Sequence, residues 1–176
     1  VGSSKVKVTE LAESTLNDKI FVPGHPIAGT EKSGPENGFK NLFKDKWFIS
    51  TNCNLCNEKN IEYINSMWKK IGSKVITMKS KDHDSIMAIT SHIPHLIAYN
   101  IVGTASELEE DIKSDVIKFS ASGFRDFTRI ASSDPVMWRD IMLSNKDEII
   151  LLFEKFNNDL QQILDAIKKE LMNIPI

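Results

Sequence analysis

Four histidines and a cluster of arginines are the side chains here best suited to chemistry. His25 lies within FVPGHPIAGTEKSG, residues 21–34, a stretch dense in glycine and proline. His83 stands between Asp82 and Asp84. His92 and His95 lie in Ser91-His92-Ile93-Pro94-His95. Imidazole titrates near neutral pH, so a neutral histidine can accept a proton from a hydroxyl. Each could equally be a histidine with an ordinary hydrogen-bond partner. A metal site is a third reading, with His92, His95 and Asp82 or Asp84 as ligands. Against it, an i, i+3 pair across a proline shares a face less surely than an i, i+4 pair.

Arg125, Asp126, Arg129 and Arg139 surround a Gly-Phe pair and a tryptophan in GFRDFTRIASSDPVMWRD, residues 123–140. Guanidinium binds a planar carboxylate through two parallel hydrogen bonds, so a small organic anion is a candidate ligand. The alternative is an Arg–Asp network that ties two helices together. Cys53 and Cys56 form a C-x-x-C. That spacing can be a redox pair or half a zinc site, but no second C-x-x-C exists to complete the zinc site. The pair reads as an incidental feature of a surface loop, and two cysteines make no disulfide framework.

These residues need a scaffold. The chain has 176 residues, enough for one large domain or for a small domain plus part of another. With 22 basic and 24 acidic residues it offers no basic excess for nucleic acid. No apolar run reaches the ~20 residues that span a bilayer. The first ten residues, VGSSKVKVTE, lack the apolar core of a signal peptide. A reducing cytoplasm is the expected location. The opening valine suggests a piece of a longer chain.

Two halves read differently. Up to residue 79, short strand candidates alternate with helix: 19–22, 47–50 and 74–78. Between the last two, Ile61, Ile64, Trp68 and Ile71 form one helical face that Gly72 closes. Strand-helix-strand points to an α/β sheet. From residue 80 the pattern is helical. Pro94 should kink or limit an apolar helix over 82–104. A shorter helix is expected over 106–119 and a break over 120–135. Ser133 or Asp134 should then cap a helix with Pro135 at its first position. Ile149, Phe153, Phe156, Leu160, Ile163 and Ile167 form a heptad seam, either a core stripe or a contact with a partner helix.

In series, GSSK (2–5), HPIAGTEKSG (25–34), Asp82-His83-Asp84 with SHIPH (91–95), and GFRDFTRIASSDPVMWRDI (123–141) resemble the prephenate dehydrogenase family. Its members are NAD-dependent enzymes of tyrosine synthesis. The resemblance implies an α+β fragment: the C-terminal remnant of a Rossmann-type α/β domain over 1–79, then an all-α dimerisation domain over 80–176. No segment of the chain reads G-x-G-x-x-G, so NAD (or NADP) would be bound mainly by residues outside it. The implied reaction is oxidative decarboxylation of prephenate to 4-hydroxyphenylpyruvate, in a cytoplasmic homodimer.

The resemblance also implies roles. His25 matches the catalytic histidine that bonds the substrate's C4 hydroxyl. Ser3 matches a serine beside that histidine and the nicotinamide. Arg129 matches an arginine that binds a substrate carboxylate. Thr30 shares the His25 loop. His83, Ser91 and His95 match pocket-lining positions, with His95 facing substrate rather than His92. Asp126 falls at a polar gate, and Trp138 near the pocket and the dimer partner. Three alternatives stay open: arogenate as substrate, a non-catalytic dimerisation or effector-binding module, and a metal-dependent hydrolase built on the His/Asp cluster.

Overall fold

The computed structural model describes residues 2–16, 20–29, 34–108 and 110–170, with only the backbone at 110, 111, 113, 114 and 117. A three-stranded sheet lies at one end and a set of helices at the other, so the α+β expectation holds. Strand β1 is Gly24–Pro26, β2 is Trp47–Thr51 and β3 is Lys74–Met78, in the order β1-β2-β3. β1 runs antiparallel to β2 with His25 opposite Ile49, and β2 runs parallel to β3 with Ile49 opposite Ile76.

The strand expected over 19–22 is not where β1 forms. Lys19 lies outside the described residues, and 20–22 are irregular. β1 starts after Pro23, so His25 sits within a strand rather than in a turn that follows one. The Thr51 N–H to Pro23 O bond (3.0 Å) and the Ile27 N–H to Trp47 O bond (2.7 Å) extend the ladder on either side. Pro23 and Pro26 have no N–H to give, which keeps β1 short and at a sheet edge.

Helix α1, Val6–Thr15, precedes the sheet, and α2, Glu58–Ile71, crosses between β2 and β3 as expected. Asn57 caps α2 by accepting the Asn60 N–H through Oδ1 at 2.8 Å. Gly72 ends it at φ 98°, a left-handed backbone that favours glycine. Trp68 of α2 stacks on Phe48 of β2 with ring centroids 4.4 Å apart, and Phe43 meets Trp68 edge-on. Beyond β2, Cys53 and Cys56 are joined as a disulfide, with Cα atoms 5.1 Å apart. That corrects the incidental reading of the C-x-x-C.

In the helical half, α3 (Ser80–Met87), a π-helical turn (Ala88–His92) and α4 (Ile93–Ser106) run on without a break. Pro94 does limit the run, but by a bulge. The Ile93 N–H reaches back five residues to Ala88 O, next to the site where the proline lacks a donor. α5 is Glu110–Phe119, later than expected.

The break expected over 120–135 is a correction, since Ser122–Ala131 is a helix, α6. Phe124, Phe127 and Ile130 recur every third residue and give α6 an apolar stripe that packs along α4. Asp134, not Ser133, caps α7 (Pro135–Ser144), accepting the Val136 N–H at 2.8 Å. The seam on α8 (Lys146–Lys168) starts buried at Ile149 and ends 55% exposed at Ile167. Among the described residues no helix is long and apolar enough to cross a membrane.

Gly24 is where the sheet can be tested. A Cβ there would lie 2.7 Å from Phe48 Cε2 and closer still to Cζ. Phe48 is 1% exposed and held by Trp68, so its ring has nowhere to go. Gly24→Ala is expected to lose about 1–3 kcal/mol of stability through overpacking. Urea unfolding measures it, and an unchanged midpoint would refute this account of β1.

Candidate active site

The site is built outward from Asp84, which is 1% exposed. No side chain of its own N-cap residue caps α1, and Asp84 does so from α3. Its Oδ1 accepts the Lys5 N–H at 2.7 Å and its Oδ2 the Val6 N–H at 2.9 Å. The same Oδ1 lies 2.7 Å from His83 Nδ1. A carboxylate only accepts, so Nδ1 of His83 carries a proton. In neutral imidazole that leaves Nε2 of His83 as an acceptor. It lies 2.8 Å from His25 Nδ1, which therefore donates. The remaining nitrogen of His25, Nε2, is then an acceptor, on a side chain that lines a cavity of about 740 Å³.

Electrostatics keep His25 in that neutral form. Its pKa falls from 6.5 to about 3, chiefly through burial, then through the nearby His83, Lys5 and His92, with Asp84 opposing. Lys5 is 1% exposed, and its Nζ donates to Gly24 O at 3.0 Å. Burial lowers its pKa to about 8, against the raising effect of Asp84.

The π turn and α4 supply another wall. His95 Nδ1 donates to Ser91 O at 2.8 Å, which leaves its Nε2 as an acceptor. The ring stacks on Trp138 of α7, centroids 3.5 Å apart. Burial holds the His95 pKa below its usual value; the bond to Ser91 opposes this and the Arg129 charge adds to it. His92 also lines the cavity but is almost fully buried, with Nδ1 3.1 Å from Asn145 Nδ2. Asn145 also donates to Asp84 O at 2.8 Å. Burial takes His92 down to about 4, with Asp84 opposing and His83 and His95 adding to the shift.

Of the residues singled out from sequence, Ser3, His25, Ser91, His95, Arg129 and Trp138 line the cavity together. His83 stands behind His25, fully buried, rather than on the lining. Asp126 is not on the lining either. It sits 3.4 Å from Arg129 Nη2 in an exposed pair, of a kind that contributes little to stability. Thr30 lies outside the described residues. Met87, Ile130 and Ile141 add an apolar surface that suits a carbon ring.

Sequence reasoning missed Lys5, Asp84 as an orienting group, and Asn145. The Asp-His-Asp triplet was a signal for Asp84. Nothing local marks Asn145, which acts 61 residues from its partner. Of the residues in the metal reading, His92, His95 and Asp84 each have other hydrogen-bond partners. Among the described residues no three His, Cys, Asp or Glu side chains could hold a metal ion together.

Neutral buried histidines make stability depend on pH. His25 and His92 are depressed to about 3 and about 4 when folded, against 6.5. Below about 6.5 the unfolded chain binds protons that the folded chain refuses, so stability falls as pH drops towards 4. The urea midpoint is expected to fall steadily between pH 7 and 4.5. A midpoint constant over that range would contradict the buried, neutral state.

The family profile described as the prephenate dehydrogenase nucleotide-binding domain matches residues 1–77, and that of the prephenate dehydrogenase dimerization domain matches 79–173. Cyclohexadienyl dehydrogenase of Zymomonas mobilis is 39% identical over 169 residues, covering 96% of this chain and 58% of that protein. Prephenate dehydrogenase of Bacillus subtilis is 36% identical, covering 97% and 46%. The crystal structure of Aquifex aeolicus prephenate dehydrogenase with hydroxyphenyl propionate and NAD+ superposes with a TM-score of 0.86 at 38% identity, over 96% of this chain and 58% of that one. The chain spans about half the length of the curated relatives it matches. Two matching profiles, these relatives and the shared fold agree: the chain belongs to the prephenate dehydrogenase family.

Proposed function

We propose that this chain carries the substrate side of a prephenate dehydrogenase, which oxidatively decarboxylates prephenate to 4-hydroxyphenylpyruvate. One observation carries the reading: His25 offers an acceptor nitrogen with no partner among the described residues, oriented by His83 and Asp84, in a cavity that also holds Arg129. His25 Nε2 takes the proton of the C4 hydroxyl as the ring is oxidised. The imidazolium that forms keeps its Nδ1–H on His83, and the Asp84 carboxylate stabilises the new charge. Arg129 pairs with a substrate carboxylate. The ring carboxylate departs as carbon dioxide, its bonding electrons complete the aromatic ring, and the phenolate oxygen takes its proton back from His25. Ser91, His95 and Trp138 line the rest of the pocket, and Asp126 is the gate beside Arg129.

Nicotinamide, from NAD or NADP, supplies the hydride acceptor when bound. The residues present fit one end of it. Ser3 lines the same cavity as His25, whereas no glycine-rich phosphate-binding turn is among these residues. We take 1–79 as nucleotide-domain sequence and 80–176 as the helical dimerisation domain of a cytoplasmic enzyme. Phe119, Leu151 and Ile167 are more than half exposed, which supports a homodimer through the helices. Light scattering should give twice the chain mass, and a monomer at micromolar concentration would refute the dimer.

Arogenate is the second reading, and one observation favours it. His95 commits its N–H to Ser91, so an ammonium suits its acceptor Nε2 better than a keto oxygen does. The decisive assay uses the complete enzyme with both acids. His25→Asn should lower kcat about 10²–10⁴-fold with NAD binding intact. Arg129→Ala should raise KM about 10–100-fold through loss of a charge-assisted bond of about 1.5–3 kcal/mol. Equal kcat in His25→Asn would remove His25 from the reaction, and an unchanged KM would make Arg129 structural.

A further inference from the structure

Lys5 is the most deeply buried cation described, yet among the described residues no ion pair joins its ammonium to a carboxylate. Its Nζ bonds a neutral carbonyl, Gly24 O. That carbonyl belongs to the peptide bond that leads into His25. The flanking ladder bonds, from Pro23 O and Ile27 N–H, face β2. Backbone groups alternate along an antiparallel strand, so Gly24 O points away from β2, to the open edge of β1. Lys5 thus stands where a neighbouring strand would donate. Its own N–H is fixed to Asp84, the residue that orients His83 and through it His25. One residue holds the catalytic imidazole from both sides, by its backbone through Asp84 and by its side chain through Gly24.

We propose that Lys5 is a positioning residue for the reaction: its ammonium fixes the Gly24–His25 peptide, and its charge adds to the burial that keeps the His25 ring neutral and ready to accept. This rests on the assignment of His25 made above. The groups that face His25 are Lys5 before α1, His83 and Asp84 on α3 and His92 in the π turn. Of Lys5 and His92, Lys5 is the one that carries its charge at neutral pH, since burial lowers its pKa only to about 8 whereas His92 is held at about 4. Below pH 8 a cation therefore opposes formation of an imidazolium nearby. Above pH 8 the charge is lost and the bond to Gly24 weakens.

The test is NMR of the protein without substrate, so its outcome does not depend on catalysis. The Lys5 Cε signal should titrate with a midpoint near 8. The Gly24 carbonyl carbon and the His25 ring nitrogens should shift with the same midpoint. Lys5→Met should abolish that shared step, and Lys5→Arg should hold the Gly24 and His25 signals at their low-pH positions throughout pH 6–9. Gly24 and His25 signals that stay flat while Lys5 titrates would overturn the proposal, as would a step that persists in Lys5→Met. If Lys5→Met fails to fold, the titration of the unaltered protein decides alone. Loss of kcat in His25→Asn together with a flat Lys5 titration would refute Lys5 and leave the assigned reaction standing.

Discussion

The Asp84 carboxylate is the constraint on which the rest depends. It is buried, and three N–H groups converge on it: Lys5 and Val6 from the start of α1, and His83 from its own helix. Hydrogen bonds to an ionised group contribute more than neutral ones, about 1.5–3 kcal/mol each. An unpaired carboxylate at this depth would be strongly unfavourable. The three donors therefore cannot drift apart without a large loss. Helix α1, helix α3 and, through His83, strand β1 are bound to a common point. Asn145 holds the carbonyl of the same residue and links that point to His92 and to the start of α8.

Proton directions follow from this single fixed acceptor. Asp84 can only accept, so His83 donates to it. His83 then accepts from His25, and His25 is left able to accept from a ligand. Burial, and then the neighbouring His83, Lys5 and His92, keep the imidazole unprotonated and so available. The second set of groups depends on a backbone irregularity. The π turn at 88–92 inserts one residue ahead of Pro94 and sets Ser91, His92 and His95 at the cavity, with His92 buried against Asn145 and His95 stacked on Trp138. A regular helix would rotate these residues by about 100° relative to α3.

The sequence was legible where periodicity was strong. Helix α2 with its Gly72 cap, the parallel β2–β3 pair and the Asp134-Pro135 start of α7 all follow from spacing and cap chemistry. Helix α6 was hidden because Gly123 and the nearby serines mimic a loop, while its apolar stripe forms only against α4. β1 was misplaced because two prolines look like strand breakers, although the strand starts after Pro23 and ends on Pro26. Composition could not pair Cys53 with Cys56. In the site, the family motifs marked His25, Ser91, His95 and Arg129, all of which lie on the cavity. Several contacts that orient them join distant residues, Lys5 to Asp84 across 79 positions and Asn145 to Asp84 across 61, and leave no local pattern.

The central claim is that His25 is neutral, protonated on Nδ1 and open on Nε2. Long-range proton–nitrogen correlation NMR of the histidine rings at pH 7 tests it directly. The account requires a pyrrole-like Nδ1 and a pyridine-like Nε2 for His25, with His83 in the same tautomer. An imidazolium signal from His25, or a pyridine-like Nδ1, would contradict it.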